Sequence, residues 1–187
     1  ALDEGVTFLD TADVYGDGRS ERQIHRVVSE HEADPIVATK AGRRQDEHTA
    51  DGYTFENLEQ WVDRSLRNLG VESLVLLQLH SPPTDGYYQP ETFDALAALQ
   101  DAGKVDHYGV SVLRIEEALK AIEYPGVETV QINFNPFRHR PTELFFEEVA
   151  RRDIGVIVRI PLASGLLTGT IDEATEFPET DHRNFNR

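Results

Sequence analysis

The stretch FLDTADVYG, residues 8–16, carries an apolar strand-like run straight into an acid and then a tyrosine. The run from Val6 to Leu9 ends at Asp10, and Tyr15 follows five residues later beside a glycine. A carboxylate at a strand end and a phenol in the next loop are candidates for chemistry, because functional residues often lie on loops held by a rigid scaffold. Whether the two act together depends on what the other strands carry at their ends.

The composition indicates one globular domain. The chain has 187 residues, 39% of them hydrophobic, which is enough for one core, and we predict a single domain over residues 1–187. It has no cysteine, which excludes disulfides, zinc–thiolate sites and cysteine nucleophiles. The sequence contains neither a secretory signal nor an apolar run long enough to cross a membrane, so we expect a cytoplasmic protein.

The net charge of the chain makes some classes of binding partner unfavourable. The formal net charge of −16 at pH 7 repels nucleic acid and anionic membranes, so we predict small-molecule partners and leave the oligomeric state open. Only three of the 18 basic residues are lysines, a balance that resembles proteins of salt-loving organisms. The chain contains no methionine, so we expect it to be part of a longer product.

Short apolar runs alternate with amphipathic segments along the chain. The runs predict six strands: residues 6–9, 36–39, 74–79, 107–112, 129–133 and 156–160. Helices are predicted from a capping-box pattern at Ser20, from Thr54 to Gly70, from Pro90 to Gly103, and over residues 115–122 and 142–151. This alternation is typical of βα units with a parallel sheet.

Two parallel architectures fit this pattern, a doubly wound open sheet and an eight-stranded barrel. A dinucleotide-binding open sheet requires G-x-G-x-x-G after its first strand, but Glu21 stands where the third glycine belongs. No phosphate-binding P-loop is present, and Leu113 replaces the second glycine of a hydrolase nucleophile elbow at residues 109–113. We therefore predict a barrel.

In a βα barrel the active site lies at the carboxyl ends of the strands. Three consecutive predicted strands end in Asp10, Lys40 and His80, and Tyr15 lies in the first loop. We predict that the Lys40 ammonium lowers the pKa of the Tyr15 phenol, that Asp10 keeps Lys40 charged, and that His80 offers an N–H beside Tyr15. Such a group would protonate a carbonyl oxygen.

Six motifs follow one another along the chain: GVTFLDTADVYGDGRSERQI (5–24), VATKAG (37–42), LLQLHSP (76–82), YGVSV (108–112), VQINFNP (130–136) and PLASGLLTG (161–169). In this order, over nearly the whole chain, they resemble the aldo-keto reductase superfamily. The resemblance implies an α/β fold, a (β/α)8 TIM barrel, and reversible hydride transfer between NADPH and an aldehyde or ketone. It also carries a catalytic tetrad onto Asp10, Tyr15, Lys40 and His80, with Tyr15 as general acid and base.

The same resemblance implies where the cofactor would bind. It implies that Ser111 and Gln131 contact the nicotinamide carboxamide. Leu162, Ser164 and Leu166 would belong to the loop near the pyrophosphate. The preference for NADPH over NADH is carried by resemblance alone, so NADH stays possible, and no metal is implied.

The chain departs from the family pattern in two residues and in length. Val112 stands where the family often has an asparagine that binds the nicotinamide, and Arg159 stands where an aromatic ring commonly stacks on it. A guanidinium plane can also stack on a ring, and its charge would favour NADPH over oxidised NADP⁺. A barrel of this class needs about 250 residues, and we expect only strands two to seven here.

Several alternatives stay open. A regulatory subunit that binds the cofactor would share this fold, as potassium-channel β subunits do, and the chain taken alone is a candidate for an inactive fragment of the enzyme. Lys40 could instead form a Schiff base, although the acid beside it argues against this. The substrate cannot be read from residues 43–54 and 81–89, where Tyr53, Tyr87 and Tyr88 either pack within the loops or form apolar walls.

Overall fold

The computed structural model of the chain describes residues 1–184. Within that range, six strands alternate with five α-helices. The strands are β1 (Phe8–Asp10), β2 (Ile36–Ala41), β3 (Leu74–His80), β4 (Val105–Ser111), β5 (Val127–Asn133) and β6 (Gly155–Arg159). The helices are α1 (Arg19–Ser29), α2 (Phe55–Leu69), α3 (Pro90–Asp101), α4 (Ile115–Ala121) and α5 (Phe145–Arg152). Each strand lies within two residues of its predicted bounds.

The strands form one parallel sheet in the order in which they occur along the chain, from β1 to β6. A doubly wound sheet would reverse its order at a switch point. Sequential right-handed βα crossovers instead place every helix on the same face, and the sheet curves as a barrel wall. The structure thus confirms the predicted barrel fold and contains six of its eight strands.

The core lies between this sheet and the helices. On β3, Leu77 and Leu79 project to the helix side and are fully buried, and Leu58 and Val62 of α2 are buried in the same apolar cluster. Burial of such side chains contributes about 1.5–3 kcal/mol each to folding. In residues 1–184, no helix combines the length and the apolar character that a membrane span requires.

Helix boundaries follow the predicted cues at α2 and α3 but not at α1. Thr54 accepts a hydrogen bond from the N–H of Asn57 at the start of α2, and Gly70 ends that helix at φ 66°. The predicted cap at Ser20 is wrong, because α1 begins at Arg19 behind Gly18, which has φ 79°. Glycine adopts this left-handed conformation without strain, so the chain turns into the helix earlier than the capping-box pattern predicts.

Candidate active site

The register of the sheet gathers the predicted site residues on one face. Residues paired across parallel strands, and residues two apart on one strand, project to the same side. For example, His80 pairs with Ser111, and Ser111 pairs with Gln131. Six predicted site residues share the face opposite the helices in this way: Asp10, Lys40, His80, Ser111, Gln131 and Arg159.

The side chains of Tyr15, Lys40 and His80 meet at the carboxyl end of the sheet. The Lys40 Nζ atom lies 5.6 Å from the centroid of the Tyr15 ring. The rings of Tyr15 and His80 are 5.7 Å apart in an edge-to-face arrangement. Lys40 is buried, whereas 44% of Tyr15 is exposed, so the phenol is open to solvent at this end of the sheet.

The Asp10 carboxylate joins three strands. Its Oδ2 accepts a hydrogen bond from Lys40 Nζ at 2.6 Å, and its Oδ1 accepts from the amides of Gln78 at 3.2 Å and Gln131 at 3.0 Å. Lys40 also donates to the carbonyl of Thr11 at 2.8 Å. The sequence reasoning missed Gln78, although a single polar residue inside the apolar run of β3 was the available signal.

The pKa of the Tyr15 phenol is raised, so the predicted lowering by Lys40 is wrong. Burial is the largest cause, and the Asp10 carboxylate is the second. The Asp10 charge lies 2.6 Å from the ammonium and acts on Tyr15 in the direction opposite to that of Lys40. The cations that do lower the pKa of Tyr15 are Arg159 and then Arg43. Burial also lowers the pKa of Lys40, and Asp10 opposes that change.

His80 is a neutral imidazole at physiological pH. Burial lowers its pKa to about 3, and the nearby charges of Lys40, Arg43 and Arg159 act in the same direction. Its Nδ1 atom is buried and has no hydrogen-bond partner among residues 1–184. A neutral imidazole carries one N–H, which can donate to an oxygen bound beside Tyr15.

The residues predicted to hold the carboxamide lie beside Arg159. The Arg159 guanidinium donates to Ser111 Oγ at 2.8 Å, to Asn133 Oδ1 at 3.1 Å and to the Val112 carbonyl at 3.0 Å. The Oε1 atom of Gln131 is buried and has no partner in the described part of the chain. This arrangement leaves one amide oxygen able to accept a new hydrogen bond.

The loop after β6 is more open. Leu162 is 54% and Leu166 is 49% exposed, and both belong to the turn-rich segment predicted to contact the pyrophosphate. Ser164 has a left-handed backbone at φ 58°, and its carbonyl accepts a hydrogen bond from Arg183 at 3.3 Å. Their contact with a cofactor stays a prediction.

Two of the three loop tyrosines pack inside the protein. Tyr53 is buried against Trp61 and bonds His48 through its hydroxyl at 2.9 Å. Tyr87 is buried and donates to the Ser111 carbonyl at 3.1 Å. Tyr88 is 60% exposed. Loop packing therefore accounts for Tyr53 and Tyr87.

The sequence reasoning also missed Arg43, which follows β2 on the same rim. Its Nε donates to the His80 carbonyl at 2.8 Å, and its Nη2 donates to the Ser81 carbonyl at 3.2 Å. Ser81 has a left-handed backbone at φ 52°, which a non-glycine residue rarely adopts. Arg43 thus holds the turn that follows the imidazole.

Comparison with known proteins gives consistent matches. The model of the Aldo/keto reductase family matches residues 1–187. The chain is 31% identical to the uncharacterized oxidoreductase YqkF of Bacillus subtilis over 94% of the chain and 58% of that protein. It is 28% identical to an NADP(+) aldo-keto reductase of Schizosaccharomyces pombe over 98% of the chain and 56% of that protein. The chain thus spans little more than half the length of these relatives.

A solved structure and a plant protein extend the comparison. The structure of a glycerol dehydrogenase from Gluconobacter oxydans superposes with a TM-score of 0.83 at 30% identity, over 99% of this chain and 58% of that one. A probable voltage-gated potassium channel subunit beta of Arabidopsis thaliana is 27% identical over 89% of this chain and 54% of its own length.

Proposed function

The chain belongs to the aldo/keto reductase family, and on that premise we propose that the whole protein reduces aldehydes or ketones to alcohols with NADPH. Residues 1–187 would form part of a single barrel domain, with Tyr15 as the general acid. One observation carries this proposal: the Lys40 Nζ atom and the centroid of the His80 ring each lie within 6 Å of the centroid of the Tyr15 ring.

The residues present fit a nicotinamide cofactor. The carboxamide N–H₂ needs an acceptor, and the buried Oε1 of Gln131 is an acceptor without a partner in the described residues. Ser111 would hold the other side of the carboxamide, and Arg159 would lie against the ring. Leu162, Ser164 and Leu166 would border the pyrophosphate. When bound, NADPH supplies the hydride that reduces the carbonyl carbon.

The chain's own residues supply the proton. Tyr15 is neutral because its pKa is raised, and it therefore carries the proton that the substrate oxygen takes up. His80, also neutral, donates its N–H to the same oxygen and stabilises the negative charge that develops there. Lys40 and Asp10 orient Tyr15 and provide a balanced charge pair behind it. Oxidation of an alcohol needs the phenolate and would be favoured at high pH.

The test is NADPH oxidation by the whole protein with a panel of aldehydes, followed by absorbance. Tyr15→Phe should lower kcat by about 10²–10⁴-fold, the usual contribution of a general acid, with cofactor binding retained in a fluorescence titration. Tyr88→Phe, which removes the same hydroxyl from an exposed loop residue, is the matched control and should keep its activity. Folded protein that binds NADPH but oxidises none of it would contradict the proposal.

A second candidate is a cofactor-binding regulatory subunit, because a potassium-channel subunit β is among the relatives. It would bind NADPH tightly and turn over very slowly with every aldehyde tested. Steady-state turnover measured together with the cofactor Kd therefore separates the two functions.

A further inference from the structure

The mouth of the site carries two guanidinium groups that have no acidic partner in the part of the chain that the structure describes. Among residues 1–184, neither Arg43 nor Arg159 lies within 4.0 Å of a carboxylate oxygen. The neighbouring Arg44 shows the usual arrangement, because it pairs with Asp17 at 2.9 Å. The acid at the mouth, Asp10, is already occupied by Lys40. The rim around Tyr15 is therefore locally cationic in a chain whose net charge is −16.

Arg43 is held so that one edge of its guanidinium stays free. Its Nε–Nη2 edge grips the carbonyls of His80 and Ser81, which bound the rim beside Tyr15. Its Nη1 has no partner among the described residues, and the side chain is exposed. The end edge, formed by Nη1 and the second hydrogen of Nη2, therefore keeps two parallel N–H groups available to a ligand. Two such groups match the two oxygens of a carboxylate.

The position of Arg43 relative to the reacting groups suits a substrate anchor. It contacts the main chain of His80, whose ring lies 5.7 Å from the Tyr15 ring. The positive charge of Arg43 lowers the pKa of both Tyr15 and His80. One substrate molecule could therefore place its anionic group at Arg43 and its carbonyl group at Tyr15. The Asp10–Lys40 ion pair would stay intact.

We propose that Arg43 binds the carboxylate of a carbonyl substrate, so that the enzyme prefers aldehydes or ketones that carry a second, acidic group. This inference rests on the proposed reductase function and specifies its substrate class. Arg159 adds a second positive charge on the same rim. The reaction itself is unchanged: hydride joins the carbonyl carbon, the Tyr15 proton joins the oxygen, and an acidic alcohol and NADP⁺ leave.

The test compares substrates that differ in the charge of one substituent. The whole protein is assayed with 3- and 4-carboxybenzaldehyde and with the methyl ester of each. The ester is the more electron-withdrawing substituent and makes its aldehyde the more electrophilic, so intrinsic reactivity opposes the preference expected here. We expect kcat/KM for at least one acid to exceed that of its ester by about tenfold or more, as a charge-assisted bidentate contact allows, mainly through a lower KM. This comparison in the wild-type protein needs no variant.

Variants then locate the preference. In Arg43→Gln the ratio of kcat/KM for acid to that for ester should fall to one or below. In Arg43→Lys, which keeps the charge without the planar fork, the ratio should lie between the Arg43→Gln and wild-type values. Arg26→Gln removes the same charge from the exposed outer face of α1 and should keep the wild-type ratio. Circular dichroism verifies that each variant is folded.

Three outcomes would overturn the inference. Equal kcat/KM for acid and ester in the wild-type protein, or an equal loss for both in Arg43→Gln, would reduce Arg43 to a structural support of the His80–Ser81 turn while leaving the reductase function intact. Reduction of neither compound by folded protein that binds NADPH would overturn the proposed function, and this inference with it.

Discussion

At the scale of single residues, the Asp10 carboxylate determines the electrostatics of the site. It accepts hydrogen bonds from Lys40, Gln78 and Gln131, so one acid connects its own strand, β1, to three other strands. Partial burial and then the Asp10 charge raise the pKa of Tyr15, and the two arginines of the rim oppose this increase. A neutral phenol next to a neutral imidazole is suited to proton donation, which is the step that carbonyl reduction requires.

A second acid of the same loop, Asp13, is expected to make folding stability depend on pH. Asp13 is fully buried, and neither carboxylate oxygen has a partner among residues 1–184. Burial, and then the Glu21 charge, raise its pKa to about 7, while Arg44 and Arg64 oppose this. The unfolded value is about 3.9, so the native state binds more protons between pH 4 and 7, and stability falls as the pH rises through that window.

We therefore predict that Asp13→Asn is more stable than the wild-type protein at pH 8 and about equally stable at pH 4.5. Each pKa unit corresponds to about 1.4 kcal/mol, so the gain at pH 8 should be a few kcal/mol in urea unfolding experiments. Asp46→Asn, at an exposed position of the neighbouring loop, is the control and should show no such trend. A gain that does not change with pH would contradict a buried titrating carboxyl.

Part of this site was predictable from the sequence. Asp10, Lys40 and His80 each interrupt an apolar run, and parallel strands bring such residues to one edge. Gln78 was missed because it lies inside β3, whereas site residues were sought at strand ends. Arg43 was missed because it lies beyond the end of β2, where no periodicity marks it. The direction of the Tyr15 pKa was wrong for a different reason. The sequence contains the charges of Lys40 and Asp10 but shows neither their 2.6 Å separation nor the partial burial of the phenol.

At the scale of the elements, the register between strands determines which side chains meet. Each strand contributes a polar residue to the same face because paired positions are aligned across the whole sheet, with one irregularity at Tyr108 and Gly109. The strand pattern was legible in the sequence, since apolar runs bounded by polar residues have few other interpretations. The start of α1 was not, because its entry uses the backbone conformation of Gly18 and no side-chain cap.

Gly109 of β4 gives a prediction at this scale. Gly109 and Gly155 flank Thr129 of β5 in the register of the sheet. A Cβ at Gly109 would overlap both the side chain and the carbonyl of Thr129, whereas at Gly155 the nearest atom is 3.4 Å away. Gly109→Ala should therefore destabilise the protein by about 1–3 kcal/mol through overpacking.

Gly155→Ala is the matched control and should change stability by less than about 0.5 kcal/mol. Urea denaturation of both variants, with midpoint and slope compared to the wild-type protein, measures the difference. Equal stability of the two variants would mean that β4 and β5 can separate at Thr129 without loss, which would contradict the close approach of these strands.

At the scale of the whole molecule, charge is distributed unevenly. The chain carries 34 acids against 18 lysines and arginines, yet the rim of the site carries Arg43 and Arg159 without acidic partners in the described residues. Long-range repulsion of anions by the chain and local attraction at the mouth therefore oppose each other. Only a ligand that reaches the rim experiences the attraction, because exposed charges are screened beyond about 10 Å at 0.1 M salt.

The same excess of acids predicts that salt stabilises the fold. Salt weakens both the attractive surface pairs, such as Lys104 with Asp63, and the repulsion among unpaired acids. Exposed pairs contribute about 0–1 kcal/mol each, and acids outnumber lysines and arginines almost two to one, so the repulsion is the larger of the two.

The Tm of the whole protein should rise between about 0.02 and 0.2 M ionic strength, by roughly 2–4 °C for each kcal/mol of repulsion removed. Chloride and sulfate at equal ionic strength should act alike in this range, because screening depends on ionic strength, whereas exclusion of salt from the surface depends on the ion. A Tm that stays constant or falls as salt is added would mean that the attractive pairs outweigh the net charge.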